Sequence, residues 1–264
     1  LKTNIPGKKS LAILKRMKVM NGGYSDPLPF VHSGKGSGCY FKDIDGNTFL
    51  DFASQIAANP LGYNHKKLLK VVKRFRSFPV KYAGQDFTTK EHHDLLEELL
   101  SISKNKNAAF LINSGAEAVE NAIKICMRKQ PKAKFGISFE GAFHGRTIGA
   151  LSCTNSKALY KRNYFQIPMR RLPFNESMKE RFERLLHDEG DPQDVGFVIV
   201  EGLQGEGGYK VPSKKMMKEL SSICHKNRIP LIADEIQSGM GRTGKWWAHE
   251  HYEFKPDVIT SAKA

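Results

Sequence analysis

The chain has 264 residues, 40% hydrophobic and 26% charged, the balance of a globular protein with a sizeable core. Its formal charge of +15 invites a nucleic-acid reading, but runs such as Lys66-Lys67, Lys73-Arg74 and Lys214-Lys215 read as solvated helix faces, without RNA-binding or zinc-finger signatures. Apolar runs such as 197–200 are too short to cross a bilayer and no secretory signal appears, while Cys39, Cys126, Cys153 and Cys224 stand far apart, as reduced thiols of a cytoplasmic protein and not a disulfide or metal framework.

In chain order, residues 1–60 read as an N-terminal arm and hairpin. A basic helix over 10–20 is followed by a Gly/Pro loop, then by two alternating runs within 39–51 around Asp45-Gly46-Asn47. Residues 61–264 read as one large domain. Helical patterns at 65–75 and 89–101 precede a strand at 109–112, a helix over 116–128 and a strand at 135–139. A strand at 195–200, a helix over 213–227, and strands at 231–233 and 258–260 complete the series. This alternation predicts an α/β fold with a mostly parallel sheet flanked by helices, and such sheets bind ligands at the carboxyl ends of their strands.

The chemistry-bearing residues all follow strand ends. Past 109–112 come Asn113-Ser114-Gly115-Ala116-Glu117, where small residues opening a helix suit a phosphate. Taken alone, Ser114 reads first as a plain N-cap, with Glu117 closing a capping box. Past 135–139 come Phe143-His144-Gly145-Arg146-Thr147: an aromatic face for a planar ligand and a guanidinium fork for a carboxylate, or an ordinary loop with a satisfied histidine. Past 195–200 lie Glu201, Glu206 and four glycines within 201–208. The strand at 231–233 runs into Asp234 and Glu235, which are either surfacing or bringing a charge to a site. Lys263 lies just beyond the strand at 258–260, either solvated or enclosed as a Schiff-base nucleophile. Together, a phosphate cradle, a stacking face, a strand-end carboxylate and a lysine suit pyridoxal 5'-phosphate, whose ring nitrogen needs an acid and whose aldehyde needs an amine. Asp234 is the proposed acid.

At these motifs, together with Asp234-Glu235-Ile236-Gln237, Gly241-Arg242-Thr243-Gly244 and the 29-residue step from Asp234 to Lys263, the sequence resembles the class III pyridoxal-phosphate aminotransferases of the 4-aminobutyrate and ornithine type. The resemblance implies the type I fold of these transferases, with residues 61–264 as its cofactor-binding domain and 1–60 as part of its small domain. It implies that Lys263 is the Schiff-base lysine and proton shuttle, that Asp234 pairs with the pyridine nitrogen, and that Ile236 and Phe143 cover the two ring faces. His144 belongs to the same cofactor-binding set. Gln237 would bond the phenolic oxygen, and Ser114, Gly115 and Ala116 the phosphate. On the substrate side it implies Arg146 for a carboxylate, with Glu201, Glu206 and Ile56 nearby. Ile56 stands where ornithine-type members carry a tyrosine, which points to the 4-aminobutyrate type.

The family's chains continue past the lysine, so the resemblance also implies a fragment. It would lack the arginine that pairs with Glu206 and the threonine that reaches the phosphate of a neighbouring subunit. Such a fragment is expected to be poorly soluble and inactive alone, and the whole protein a homodimer. The expected reaction transfers the terminal amine of an ω-amino acid such as 4-aminobutyrate to 2-oxoglutarate. An ornithine or acetylornithine aminotransferase, or an amino-acid racemase or epimerase on the same scaffold, is the alternative. Neither a nucleic-acid nor a membrane partner is expected.

Overall fold

The computed structural model describes residues 1–22, 27–77 and 86–263, so residues 23–26 of the expected Gly/Pro loop lie outside the described residues. The chain divides into two compact units, Leu1–Phe87 and Thr88–Lys263.

In the first unit, α1 (Lys8–Met20) begins on Asp45, whose carboxylate accepts the amides of Lys9 and Ser10, both at 2.9 Å. A carboxylate at a helix start satisfies orphan amides and complements the dipole, which ties the arm to the hairpin turn. Strand β1 (His32–Ser37) occupies part of what the sequence reads as loop. It pairs antiparallel with β2 (Tyr40–Asp43), which pairs with β3 (Thr48–Leu50). The glycines that disguise β1 have a cause: a Cβ on Gly36 would lie 2.6 Å from the Tyr40 carbonyl oxygen. A four-residue turn, α2 (Ser54–Ala57), is wound left-handed, with φ from +48° to +61°. Helix α3 (Lys66–Arg74) follows.

The second unit runs α4 (Lys90–Ile102), α5 (Gly115–Lys129), β4 (Phe135–Phe139), α6 (Ile148–Cys153), β5 (Met169–Leu172), α7 (Met178–Arg184), β6 (Val195–Glu201), α8 (Lys214–Lys226), β7 (Leu231–Asp234) and β8 (Val258–Thr260). The sheet has five strands in the order β5-β4-β6-β7-β8, and every pairing is parallel. Strand alternation sorts the core. Phe197 and Ile199 join Val119, Ile123 and Cys126 of α5, whereas Val198 and Val200 join Met178 and Phe182 of α7 and Met216 and Leu220 of α8. With both faces covered, β4 and β6 are buried throughout, which is why they read as unbroken apolar runs.

One expected strand is absent among the described residues, and one strand escapes the sequence. Residues 109–112 pair with no strand among the described residues, and Phe110 is 54% exposed. An apolar run supplies side chains for a face but no ladder partner, and the ladder makes the strand. Conversely β5, Met169-Arg-Arg-Leu172, is hidden by its arginines. Arg170 lies over the Phe135 ring at 5.0 Å, and Arg171 donates to the Ser138 hydroxyl at 2.6 Å, so both charged chains reach across to the neighbouring β4. No helix among the described residues is long and apolar enough to cross a membrane.

Candidate active site

The loops leaving the carboxyl ends of β4, β6 and β7, the start of α5 and the residues past β8 wall one cavity of about 410 Å³, within the range of small-ligand pockets. Asp234, the last residue of β7, lines it and is 4% exposed. Register places Asp234 between Glu201 of β6 and Thr260 of β8. Its Oδ1 accepts the Thr260 hydroxyl and the Ile236 amide, both at 3.1 Å. Its Oδ2 lies 2.6 Å from Nδ1 of the buried His144. A carboxylate only accepts, so Nδ1 carries the hydrogen of that contact. Asp234 is thus a strand-end acid with its orientation fixed from three sides.

The next carboxylate has the opposite job. Glu235 points to the other side of the strand and accepts from Ser238 Oγ, the Ala248 and His249 amides and the His249 ring, between 2.8 and 2.9 Å. Burial pushes its pKa up, but the His249 ring and the amides outweigh burial and hold the carboxyl below its usual range. One acid of the pair faces the cavity and the other staples a loop.

Glu201 lines the cavity beside Asp234 and accepts the amides of Phe143 and Gly205 at 3.2 and 3.3 Å. Burial, countered by His144 and those amides but assisted by Asp234, raises its carboxyl from 4.5 to about 7. The folded protein therefore holds a proton between those values that the unfolded chain has released, so stability falls as pH rises through this window. At roughly 1.4 kcal/mol per unit the span is on the order of 3 kcal/mol. Glu201→Gln, which cannot ionise, is expected to flatten that slope. Urea midpoints of the cofactor-free protein at pH 5 and pH 8 check this, and an equally steep dependence in the variant would place the titration elsewhere.

Lys263 lines the same cavity, three residues past β8, with φ +60°. A lysine in the left-handed region is uncommon and costs strain, which persists where surroundings enforce it, often at functional sites. Gly115 and Ala116, the first residues of α5, also line the cavity, and by position their amides have no acceptor within the helix. A Cβ on Gly115 would come within 3.1 Å of the Ile236 side chain, so the helix start and Ile236 meet closely. Ser114 is the N-cap: its hydroxyl accepts the Glu117 amide at 3.2 Å, and Ser114 is not among the lining residues. The expected capping box closes one residue early, since Glu117 returns to the Asn113 amide at 2.8 Å.

Phe143, Arg146, Ile236 and Gln237 complete the set brought together. Gln237 sits where it does because residue 205 is glycine, since a Cβ there would lie 1.9 Å from Gln237 Oε1. Arg146 is exposed and has no hydrogen bond or ion pair among the described residues. Glu206 is exposed and outside the lining, and Ile56 belongs to the other unit, 66% exposed in the left-handed turn. Leu203 and Ala262, which line the cavity, escape the sequence reading, as does Thr260 outside the lining, recognisable only once register sets it beside Asp234.

The sheet, with a cavity at its strand ends, has the fold of transaminases of known structure. A transaminase from the marine bacterium Virgibacillus superposes with TM-score 0.84 at 20% identity, over 96% of this chain and 61% of its own, which speaks to the fold alone. The profile of the family "Aminotransferase class-III" matches residues 21–264, and the chain belongs to that family. A probable 4-aminobutyrate aminotransferase of Bacillus subtilis is 36% identical over 87% of this chain. An acetylornithine aminotransferase of Prochlorococcus marinus is 37% identical over 90%. The chain spans 57% of the length of each of these two curated relatives.

Class III aminotransferases are pyridoxal-phosphate enzymes, and the residues present fit that group. The cavity holds a helix start with free amides, an oriented carboxylate, apolar side chains and an amine. Beside Asp234, the buried His144 Nε2 has no hydrogen-bond partner among the described residues, and its ring is held through Nδ1 and its backbone.

Proposed function

We propose that this chain carries the cofactor and amino-donor site of an aminotransferase that takes the terminal amine of an ω-amino acid such as 4-aminobutyrate and delivers it to 2-oxoglutarate. The observation that carries this reading is one cavity lined by Lys263, Asp234 and an Arg146 whose guanidinium is unpaired among the described residues. Gly115 and Ala116 would hold the cofactor phosphate, with Ser114 shaping the helix start. Ile236 and Phe143 would confine its ring and Gln237 would reach the phenolic oxygen. When bound, pyridoxal phosphate supplies a protonated ring that accepts electron density from the substrate carbon. Asp234 would keep a proton on the ring nitrogen, while His144 and Thr260 keep Asp234 aimed. Lys263 would hold the cofactor and would supply the amine that moves a proton at the reacting carbon. Arg146 takes the donor's carboxylate through its planar fork, and Glu201, largely neutral below pH 7, avoids a second full negative charge beside Asp234.

The resemblance, which sets Ile56 where ornithine-type members carry a tyrosine, supports 4-aminobutyrate over ornithine-type donors. A donor panel on the intact protein with 2-oxoglutarate tests the reading. Transfer from acetylornithine but not 4-aminobutyrate moves the specificity, and loss of optical rotation of an amino acid without an acceptor moves the reaction to racemisation. Arg146→Lys is expected to raise KM for 4-aminobutyrate about ten- to hundredfold, the loss of ~1–3 kcal/mol from replacing a fork by a point charge. Butylamine, which has no carboxylate, should be unaffected. Equal effects on both donors would make Arg146 structural.

A further inference from the structure

The loop bearing Arg146 is pinned on both sides by residues outside the cavity lining. Before it, Thr154 Oγ1 accepts the His144 amide at 3.0 Å and lies 2.9 Å from the Gly145 carbonyl oxygen. After it, the Thr147 hydroxyl donates to Glu120 Oε1 at 2.6 Å. The same oxygen accepts the amides of Gly149 and Ala150 at 2.8 and 3.1 Å, so one carboxylate of α5 caps the start of α6 from outside. Thr147, the N-cap of α6 by position, makes no cap bond of its own, since the Gly149 and Ala150 amides it would accept already donate to Glu120. Sequence makes room for the contact: a Cβ at Gly149 would lie 2.3 Å from Glu120 Oε2. Gly145, at φ +136°, lets the loop lie on α5, since a Cβ there would sit 3.1 Å from that of Ala116.

Glu120 therefore joins the helix whose first residues line the cavity to the loop that carries the unpaired guanidinium. With no partner of its own, the Arg146 side chain takes its aim from the backbone on either side. We propose that Glu120 is a positioning residue that presets Arg146 for the carboxylate end of the amino donor. The inference rests on the reading of Arg146 as a carboxylate site. Its physical content is preorganisation: a loop fixed beforehand has less ordering left to do when the ligand arrives.

The test uses the intact, cofactor-loaded protein, with glutarate as an unreactive dicarboxylate probe. Glu120→Ala is expected to weaken glutarate binding in calorimetry, and to raise KM for 4-aminobutyrate, about five- to tenfold, the effect of freeing one or two ordered side chains. kcat and the KM for butylamine should hold. Glu120→Gln, whose carbonyl oxygen still accepts, should restore both values. Thr147→Val removes the loop hydroxyl and leaves the α6 amides capped, so it keeps the test open if Glu120→Ala does not fold; because Thr147 also lines the cavity it is paired with Thr147→Ser, and Val but not Ser should shift glutarate in the same direction. If Arg146→Ala leaves glutarate affinity intact, the carboxylate reading of Arg146 fails. If Arg146→Ala weakens it while Glu120→Ala and Thr147→Val do not, the positioning role alone is overturned. A uniform loss with both donors and no rescue by Gln would make Glu120 a fold-stabilising cap and overturn it as well.

Discussion

Lys263→Ala is expected to abolish amine transfer, by roughly ten-thousandfold or more, because it removes both the covalent attachment and a proton-transfer group of the kind contributing about 10²–10⁴. Lys263 is the one lysine among the described residues lining the cavity, and it is held there in a left-handed conformation. The direct measurement is chemical: load the intact protein with cofactor, reduce with borohydride and find the labelled peptide by mass. Wild type should carry the label on Lys263, and the variant should carry none. The natural competitor is Lys161, which burial and the neighbouring Arg171 lower to about 8, so that much of it is neutral under mildly basic conditions. Label on Lys161 in the wild-type protein would move the attachment site and defeat the assignment.

Legibility in the sequence followed the physics of each element. Buried parallel strands such as β4 and β6 announce themselves as apolar runs, and α5 and α8 by caps and period, because those signals are local. β5 did not, since its two arginines satisfy themselves on Phe135 and Ser138, partners known only from the fold. The run at 109–112 failed in the other direction, having the composition of a strand without a ladder. In the site, Asp234 and Lys263 were readable because strand ends deliver residues to a known edge. His144 was marked as an aromatic face, whereas its buried Nδ1 contact with Asp234 depends on how the loop after β4 folds across β7. Thr260 and the Glu120 clamp depend likewise on long-range register and packing, which no local pattern encodes.

Asp234→Asn is the second large effect: the cofactor should stay bound while the half-reaction with the amino donor slows by about 10²–10³, the scale for losing one preorganised electrostatic contact. A neutral amide cannot hold the ring proton as a carboxylate does. The surroundings make the substitution worse than a simple loss of charge. If the new amide nitrogen takes the place of Oδ2, it confronts the hydrogen on His144 Nδ1 at 2.6 Å, and the ring must move that hydrogen to Nε2, which is buried without a partner. If it takes the place of Oδ1, it confronts the Ile236 amide, which cannot turn, and the Thr260 hydroxyl, which can. Either way one donor is left unpaired, on the buried His144 ring or at the half-buried Ile236 amide, at up to about 1–3 kcal/mol. The variant should therefore also lower the melting temperature of the cofactor-free protein, an effect that owes nothing to catalysis. Single-turnover absorbance with 4-aminobutyrate reads the rate and thermal melts read the stability. A wild-type rate would mean that another group protonates the ring; a wild-type melt with a slowed rate would mean that the His144–Asp234 contact stabilises little and serves only to aim the acid.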